Sequence, residues 1–168
     1  LGRTLRRLGD TKEARANLEQ AVADARAADL SEDDPRHLQA ALELAILKTE
    51  QGEYREARSD LERLLPHVGP GAALPEGLEE EARRSLVEVT HALGDIDTAV
   101  ALARRNLELV VARSGQDSAS ASGARASLAD ILSRKGEWRE ANELIDAVYA
   151  DELARFGPNH PVVIVMLA

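Results

Sequence analysis

Four histidines, His37, His67, His91 and His160, are the side chains best suited to hold a metal or move a proton, and their spacing favours neither. No two stand four apart on one helix face, and with no cysteine in the chain a zinc site lacks its usual ligands. Acidic runs at Asp33-Asp34 and Glu79-Glu80-Glu81 offer paired carboxylates for acid–base work or calcium. Without the spaced oxygen ligands of a calcium loop, they read as acids at helix starts, facing the positive end of the dipole. Gly69-Pro70-Gly71 lacks the Gly-Lys-Ser/Thr that completes a phosphate loop. The serines of 114–122 carry no Gly-x-Ser-x-Gly elbow. The expectation is a chain without catalytic, cofactor-binding or metal-ligating residues of its own, and not an enzyme.

Composition narrows the partners. Of 168 residues 44% are hydrophobic but only 2% aromatic, namely Tyr54, Trp138, Tyr149 and Phe156, so Leu, Ala and Val must fill the core. That mixture favours helices over strands. A net charge of −9 argues against direct nucleic-acid binding and against anionic membrane surfaces. The longest apolar run, 162–168, falls well short of the roughly 20 residues a membrane span needs. Absence of cysteine accords with a reducing cytoplasm, the expected location.

The elements that would position any functional side chain come from an internal repeat. Gly9, Gly52, Gly94 and Gly136 are 43, 42 and 42 residues apart. Eight residues before them stand Leu1, Leu44, Leu86 and Leu128. An acid follows each glycine (Asp10, Glu53, Asp95, Glu137), and an alanine lies five residues after it (Ala14, Ala57, Ala99, Ala141). Such a period signals stacked supersecondary units. The glycine ends a first helix in a left-handed conformation, and the acid is expected to cap the start of a second. The alanine lets the two helices approach closely. Second helices then carry apolar residues at helical spacing: Ala14, Leu18, Ala21, Val22; Ala57, Leu61, Leu64, Leu65; Ala99, Leu102, Ala103, Leu107; and Ala141, Ile145, Val148, Tyr149. Linkers 66–77 and 114–123, rich in Pro, Gly or Ser, are expected to be the loosest segments.

The pattern Leu-x₇-Gly-[Asp/Glu]-x₃-Ala resembles the tetratricopeptide repeat, and Leu1-Gly2 matches the family's Leu-Gly pair. A period of 42 instead of 34 is similar to the long repeats of kinesin light chains and bacterial signalling proteins. Gly157-Pro158-Asn159-His160-Pro161 reproduces their linker, with Asp34-Pro35 at the equivalent place. The resemblance implies an all-α fold, a right-handed α-solenoid of antiparallel helix pairs. It gives one array over 1–168: repeats at 1–33 (first helix truncated), 34–75, 76–117 and 118–160, then the start of a further helix at 161–168. Both ends cut through a repeat, so the chain is expected to be a window from a longer protein. Its apolar end must pack on repeat four or on another molecule, leaving a homodimer through the repeat ends open.

The resemblance also implies that first helices line a binding groove. Carried over position by position, the groove residues are Arg3, Arg6 and Arg7; Gln39, Leu42, Glu43, Ile46, Thr49 and Glu50; Glu81, Arg84, Ser85, Glu88 and His91; and Ala126, Ser127, Asp130, Ser133 and Arg134. Neither the Asn/Lys/Arg pattern of chaperone-binding arrays nor the asparagines of kinesin-light-chain arrays is matched there. What remains is an acidic groove with a basic corner, expected to take a peptide or helical segment whose Arg or Lys faces Glu43, Glu50, Glu88 and Asp130. The implied function is a protein-interaction scaffold in a larger bacterial signalling or regulatory protein. Two other readings stay open: a sensor or autoinhibitory arm for an ATPase, kinase, protease or transcription regulator outside this chain, and a self-assembly element.

Overall fold

The computed structural model describes residues 2–68, 73–75, 77–158 and 160, with Arg7 described by its backbone alone. Eight α-helices and no strand occur among them: α1 (Gly2–Arg7), α2 (Thr11–Ala27), α3 (Pro35–Glu50), α4 (Tyr54–Leu64), α5 (Leu78–Ala92), α6 (Ile96–Ser114), α7 (Ala119–Lys135) and α8 (Trp138–Phe156). A 3₁₀ turn, Leu65–His67, follows α4. The chain divides into two compact units, Leu1–Asp95 with α1–α5 and Ile96–Ala168 with α6–α8, so the division falls inside the third repeat. In the first unit α3 packs against α1, α2, α4 and α5; in the second α7 packs against α6 and α8.

The repeat columns have the structural roles their residue types demand. Ala14, Ala57, Ala99 and Ala141 are all fully buried, at 0% exposure. Leu86 and Leu128 are buried, and Leu44 packs against the cluster Ala14, Leu18 and Leu47. Gly2, one residue past the leucine column, allows the closest approach: a Cβ there would lie 2.6 Å from Leu18 Cγ. Of the expected second-helix core, Ala21 is exposed and Ile145 is 42% exposed; Leu18, Val22, Leu61, Leu64, Leu65, Ala103 and Val148 are buried.

Gly52 has φ +78°, where an L side chain is strained, and its neighbours in the column share that conformation. Since a Cβ at Gly52 would meet nothing within 4 Å, the cost of adding one is purely conformational. Gly52→Ala is therefore expected to lower stability by about 1–2 kcal/mol without altering the fold, measurable by thermal unfolding.

Two expectations need correction. The acid after the glycine does not cap a helix in every repeat: Asp10 does, its carboxylate accepting from the Glu13 amide at 3.2 Å. Glu53 and Glu137 form no such bond. Their longer side chains reach past the cap position, and they pair instead with cations. Arg15 meets Glu53 at 2.5 Å and Lys135 meets Glu137 at 2.8 Å. In the same register as Arg15–Glu53, Arg58 approaches Asp95 at 3.7 Å, so in the first unit the post-glycine acid ties one repeat to the next. Secondly, 119–123 is not linker but the first turn of α7. Ser118 caps it, accepting from the Ala121 amide at 3.1 Å, and alanine in that turn favours helix. At the start of α3, Asp34 accepts from the Arg36 amide at 2.9 Å and also pairs with the Arg36 side chain. Those contacts pull its carboxyl down to about 2. Pro35 occupies the first helical position, where a missing N–H costs nothing.

Candidate functional site

Charges on the first helices of unit one separate into an internal set and an outward set. Arg3 and Arg6 lie one turn apart on α1, and Glu43 and Glu50 lie two turns apart on α3, so each pair shares a helix face. α5 brings in Glu81. The three nitrogens of the Arg6 guanidinium each find a carboxylate. Nε donates to Glu43 Oε2 at 3.2 Å, Nη1 to Glu50 Oε1 at 2.5 Å and Nη2 to Glu81 Oε1 at 2.8 Å. Arg3 Nε stands 3.1 Å from the other oxygen of Glu43. The Arg6 side chain is only 3% exposed and that of Glu43 1%, whereas Glu50 keeps 44%. A planar fork suits this task, since it can serve several carboxylates at once. Arg3 and Arg6 of the expected basic corner thus engage Glu43 and Glu50 of the expected acidic groove, together with Glu81.

Burial pushes the Glu43 carboxyl above the ordinary carboxylate range, and the charges of Arg6 and Arg3 offset only part of that. For Arg6, burial opposes the charge but Glu81, Glu50 and Glu43 outweigh it and hold the guanidinium above its usual value. Because Glu43 binds its proton more tightly folded than unfolded, folding takes up a proton between the two values. The stability this gives is complete below about pH 4.3, the unfolded value, and is lost as pH rises through the raised folded one. Denaturant unfolding from pH 4 to 7 is expected to show wild type gaining stability relative to Glu43→Gln as pH falls. Glu53 and Glu140, held low by Arg15 and Arg104, act in the opposite sense and cancel in that comparison.

Other groove candidates separate by burial. Leu42 (0%) and Ile46 (2%) are core residues, not groove residues. Their columns carry Arg84 and Glu88 on α5 and Ala126 and Asp130 on α7, all exposed. On α3 the same columns close because that helix is flanked by α1, α2, α4 and α5. Ser85 and Thr49 are also buried, Thr49 donating to the Ala45 carbonyl at 3.1 Å. Gln39 borders a cleft of about 370 Å³ with Arg3, Asn17, Arg36 and Glu43. Arg7's side chain lies outside the described residues. The outward set in unit one is then Arg84, Glu88 and His91, at i, i+4 and i+7 on α5: Arg84 and Glu88 are exposed, His91 half-buried. None of the three forms an ion pair or side-chain hydrogen bond with another described residue. In unit two, Asp130 pairs with Arg134 at 3.0 Å along α7, with Ser127 and Ser133 half-buried on the same helix.

Sequence reasoning missed the internal network because charged residues are exposed by default. A signal was present in the columns. Arg6 shares its position with Thr49, His91 and Ser133, and Glu43 shares its own with Ser85 and Ser127. A long charge among small polar residues in each of two facing columns is the trace of a buried ion pair.

Among the described residues no cluster of His, Asp and Glu could hold a metal ion, and no helix is long and apolar enough to cross a membrane. Tetratricopeptide-repeat profiles match residues 1–67 and 81–105. No curated protein matches the chain. Among solved structures, two of a kinesin light chain of Podosopora anserina with nearly identical tetratricopeptide-like repeats are similar. One has a TM-score of 0.75 at 25% identity, covering 92% of this chain and 73% of that one. The other has a TM-score of 0.73 at 25% identity, covering 93% and 74%. BtubC (BKLC) of P. vanneervenii shares the fold, with a TM-score of 0.68 at 17% identity, over 93% of this chain and 62% of that one. The glycine–acid–alanine columns, the buried helix pairs they produce and these matches together make the chain a member of the tetratricopeptide-repeat family, with an all-helical fold like that of kinesin-light-chain arrays.

Proposed function

We propose that the chain is a protein-interaction scaffold that takes a peptide or helical segment of a partner along its first helices, with α5 as the principal contact in unit one. The observation that carries this reading is the stripe Arg84, Glu88 and His91. It is polar, faces outward and is unengaged among the described residues, while the acids of α3 are occupied by Arg3 and Arg6. A partner fitting it has a basic residue for Glu88 and an acidic one for Arg84, a pairing that sets register and encounter rate more than raw affinity. The scaffold acts without catalysis of its own, in the cytoplasm, as part of a bacterial signalling or regulatory protein.

Affinity capture with wild type and with Arg84→Glu/Glu88→Lys tests the reading. Partners held by wild type and lost by the double variant, at equal thermal stability, are expected. Partners retained equally by both would sink it.

A further inference from the structure

Both ring nitrogens of His67 face carboxylates, an arrangement that a neutral imidazole cannot satisfy. His67 closes the 3₁₀ turn that follows α4. Its Nδ1 stands 2.8 Å from Asp33 Oδ1 and its Nε2 stands 3.3 Å from Glu32 Oε2. Both acids belong to the linker 28–34 between α2 and α3. The same linker is fastened at two further points. Arg63, four residues before His67, pairs with Glu32. His37, only 3% exposed, meets the Ser31 carbonyl through Nδ1 at 3.2 Å.

An imidazole carries one N–H when neutral and two when protonated. His37 needs only one, because its Nε2 is buried with no hydrogen-bond partner among the described residues. His67 needs two. With a single N–H, one of its nitrogens would turn a lone pair toward a carboxylate oxygen, acceptor against acceptor.

Other charged groups on the surrounding elements have partners of their own. On α4, Asp60 takes Lys48 of α3 at 2.6 Å and Arg63 at 3.4 Å, and Glu62 takes Arg58. In the linker Asp34 is held by Arg36, and Asp29 is exposed. α5 packs on the 3₁₀ turn and brings Glu79, Glu80 and Glu81 in its first turn. Of these Glu79 pairs with Arg83 and Glu81 with Arg6.

We propose that His67 is a proton-operated clasp: its imidazolium ties the α2–α3 linker to the end of α4, and loss of one proton releases the Glu32 side of that tie. Nε2 is the nitrogen that gives up its proton, since its contact is the longer and Glu32 keeps Arg63. Nδ1–H stays on Asp33, which has no other ion-pair partner among the described residues. Imidazole is the one side chain whose ordinary charge change falls between about pH 5 and 8, so a joint built on it responds near neutrality.

Long-range proton–nitrogen NMR spectra of the 168-residue chain, from about pH 5.5 to 8, test the clasp. Both His67 ring nitrogens should be protonated at the acid end. The Nδ1–H tautomer should dominate at the alkaline end, the reverse of a free histidine side chain. The linker itself is read through the Leu30 and Asp34 amides, which donate to the Ala25 and Ser31 carbonyls. Their protection, corrected for intrinsic exchange, should fall about two- to fivefold across that range, the scale of one exposed ion pair. In His67→Gln, which cannot take up a proton, protection should not change with pH. A neutral ring in the Nε2–H tautomer would overturn the proposal, and so would equal pH slopes in wild type and His67→Gln.

Discussion

Arg6→Ala is expected to cost the first unit about 3–5 kcal/mol, the scale at which breaking a buried ion pair leaves an uncompensated charge. The guanidinium serves Glu43, Glu50 and Glu81 at 2.5–3.2 Å from a position almost sealed from water. Removing it leaves Glu43, at 1% exposure, with only Arg3 nearby. Glu50 and Glu81 lose less, because solvent reaches them. Denaturant unfolding should show a lower midpoint for unit one. Arg6→Met/Glu43→Leu should recover much of the loss, since a packed apolar pair removes both desolvated charges. A single alanine variant as stable as wild type would mean that the network adds nothing beyond a surface ion pair, roughly 0–1 kcal/mol.

The second large effect concerns Leu42. As a fully buried residue of α3 it should behave as core, and Leu42→Ala is expected to lower stability by about 2–5 kcal/mol through lost burial and the cavity left behind. Its column-mates Arg84 and Ala126 are exposed, so substitution there should move stability by no more than about 0.5 kcal/mol. Chemical denaturation of Leu42→Ala and Arg84→Ala side by side checks the contrast. It matters for function because a loss of binding in Leu42→Ala would report damage to the helix stack and not a lost contact.

These two cases show where the sequence was readable. Residue type and spacing specify the helix pairs: Ala57 can only be the close-approach residue of its pair, and Gly52 can only be the left-handed end of its helix. Such properties are local, and four copies of each column reinforce them. Helix starts were readable where Asp34, Pro35 and Asp10 stood, but not at Glu53, because a glutamate can cap or reach across to Arg15 and nothing local decides which. Burial of Arg6 and Glu43 depends on which helices flank α3, over separations of 37 to 75 residues; the columns mark the two as odd members but do not say which helices enclose them. The same holds for Leu42 and Ile46. Their columns are open on α5 and α7 and closed on α3, so the helices that flank α3 within its unit, and not position in the repeat, decide.

The division between internal and outward charges on the first helices is the central claim, and a paired denaturant titration of Glu43→Lys and Glu88→Lys tests it most directly. Each swaps one acid for one base, so the change in net charge is the same. Glu43→Lys places a third cation beside Arg3 and Arg6 in a buried site and is expected to lose about 3–5 kcal/mol or to leave unit one unfolded. Glu88→Lys, on the exposed face of α5, should stay within about 0.5 kcal/mol of wild type. Equal stabilities for the two variants would contradict the division, and with it the assignment of the α5 stripe as the surface left for a partner.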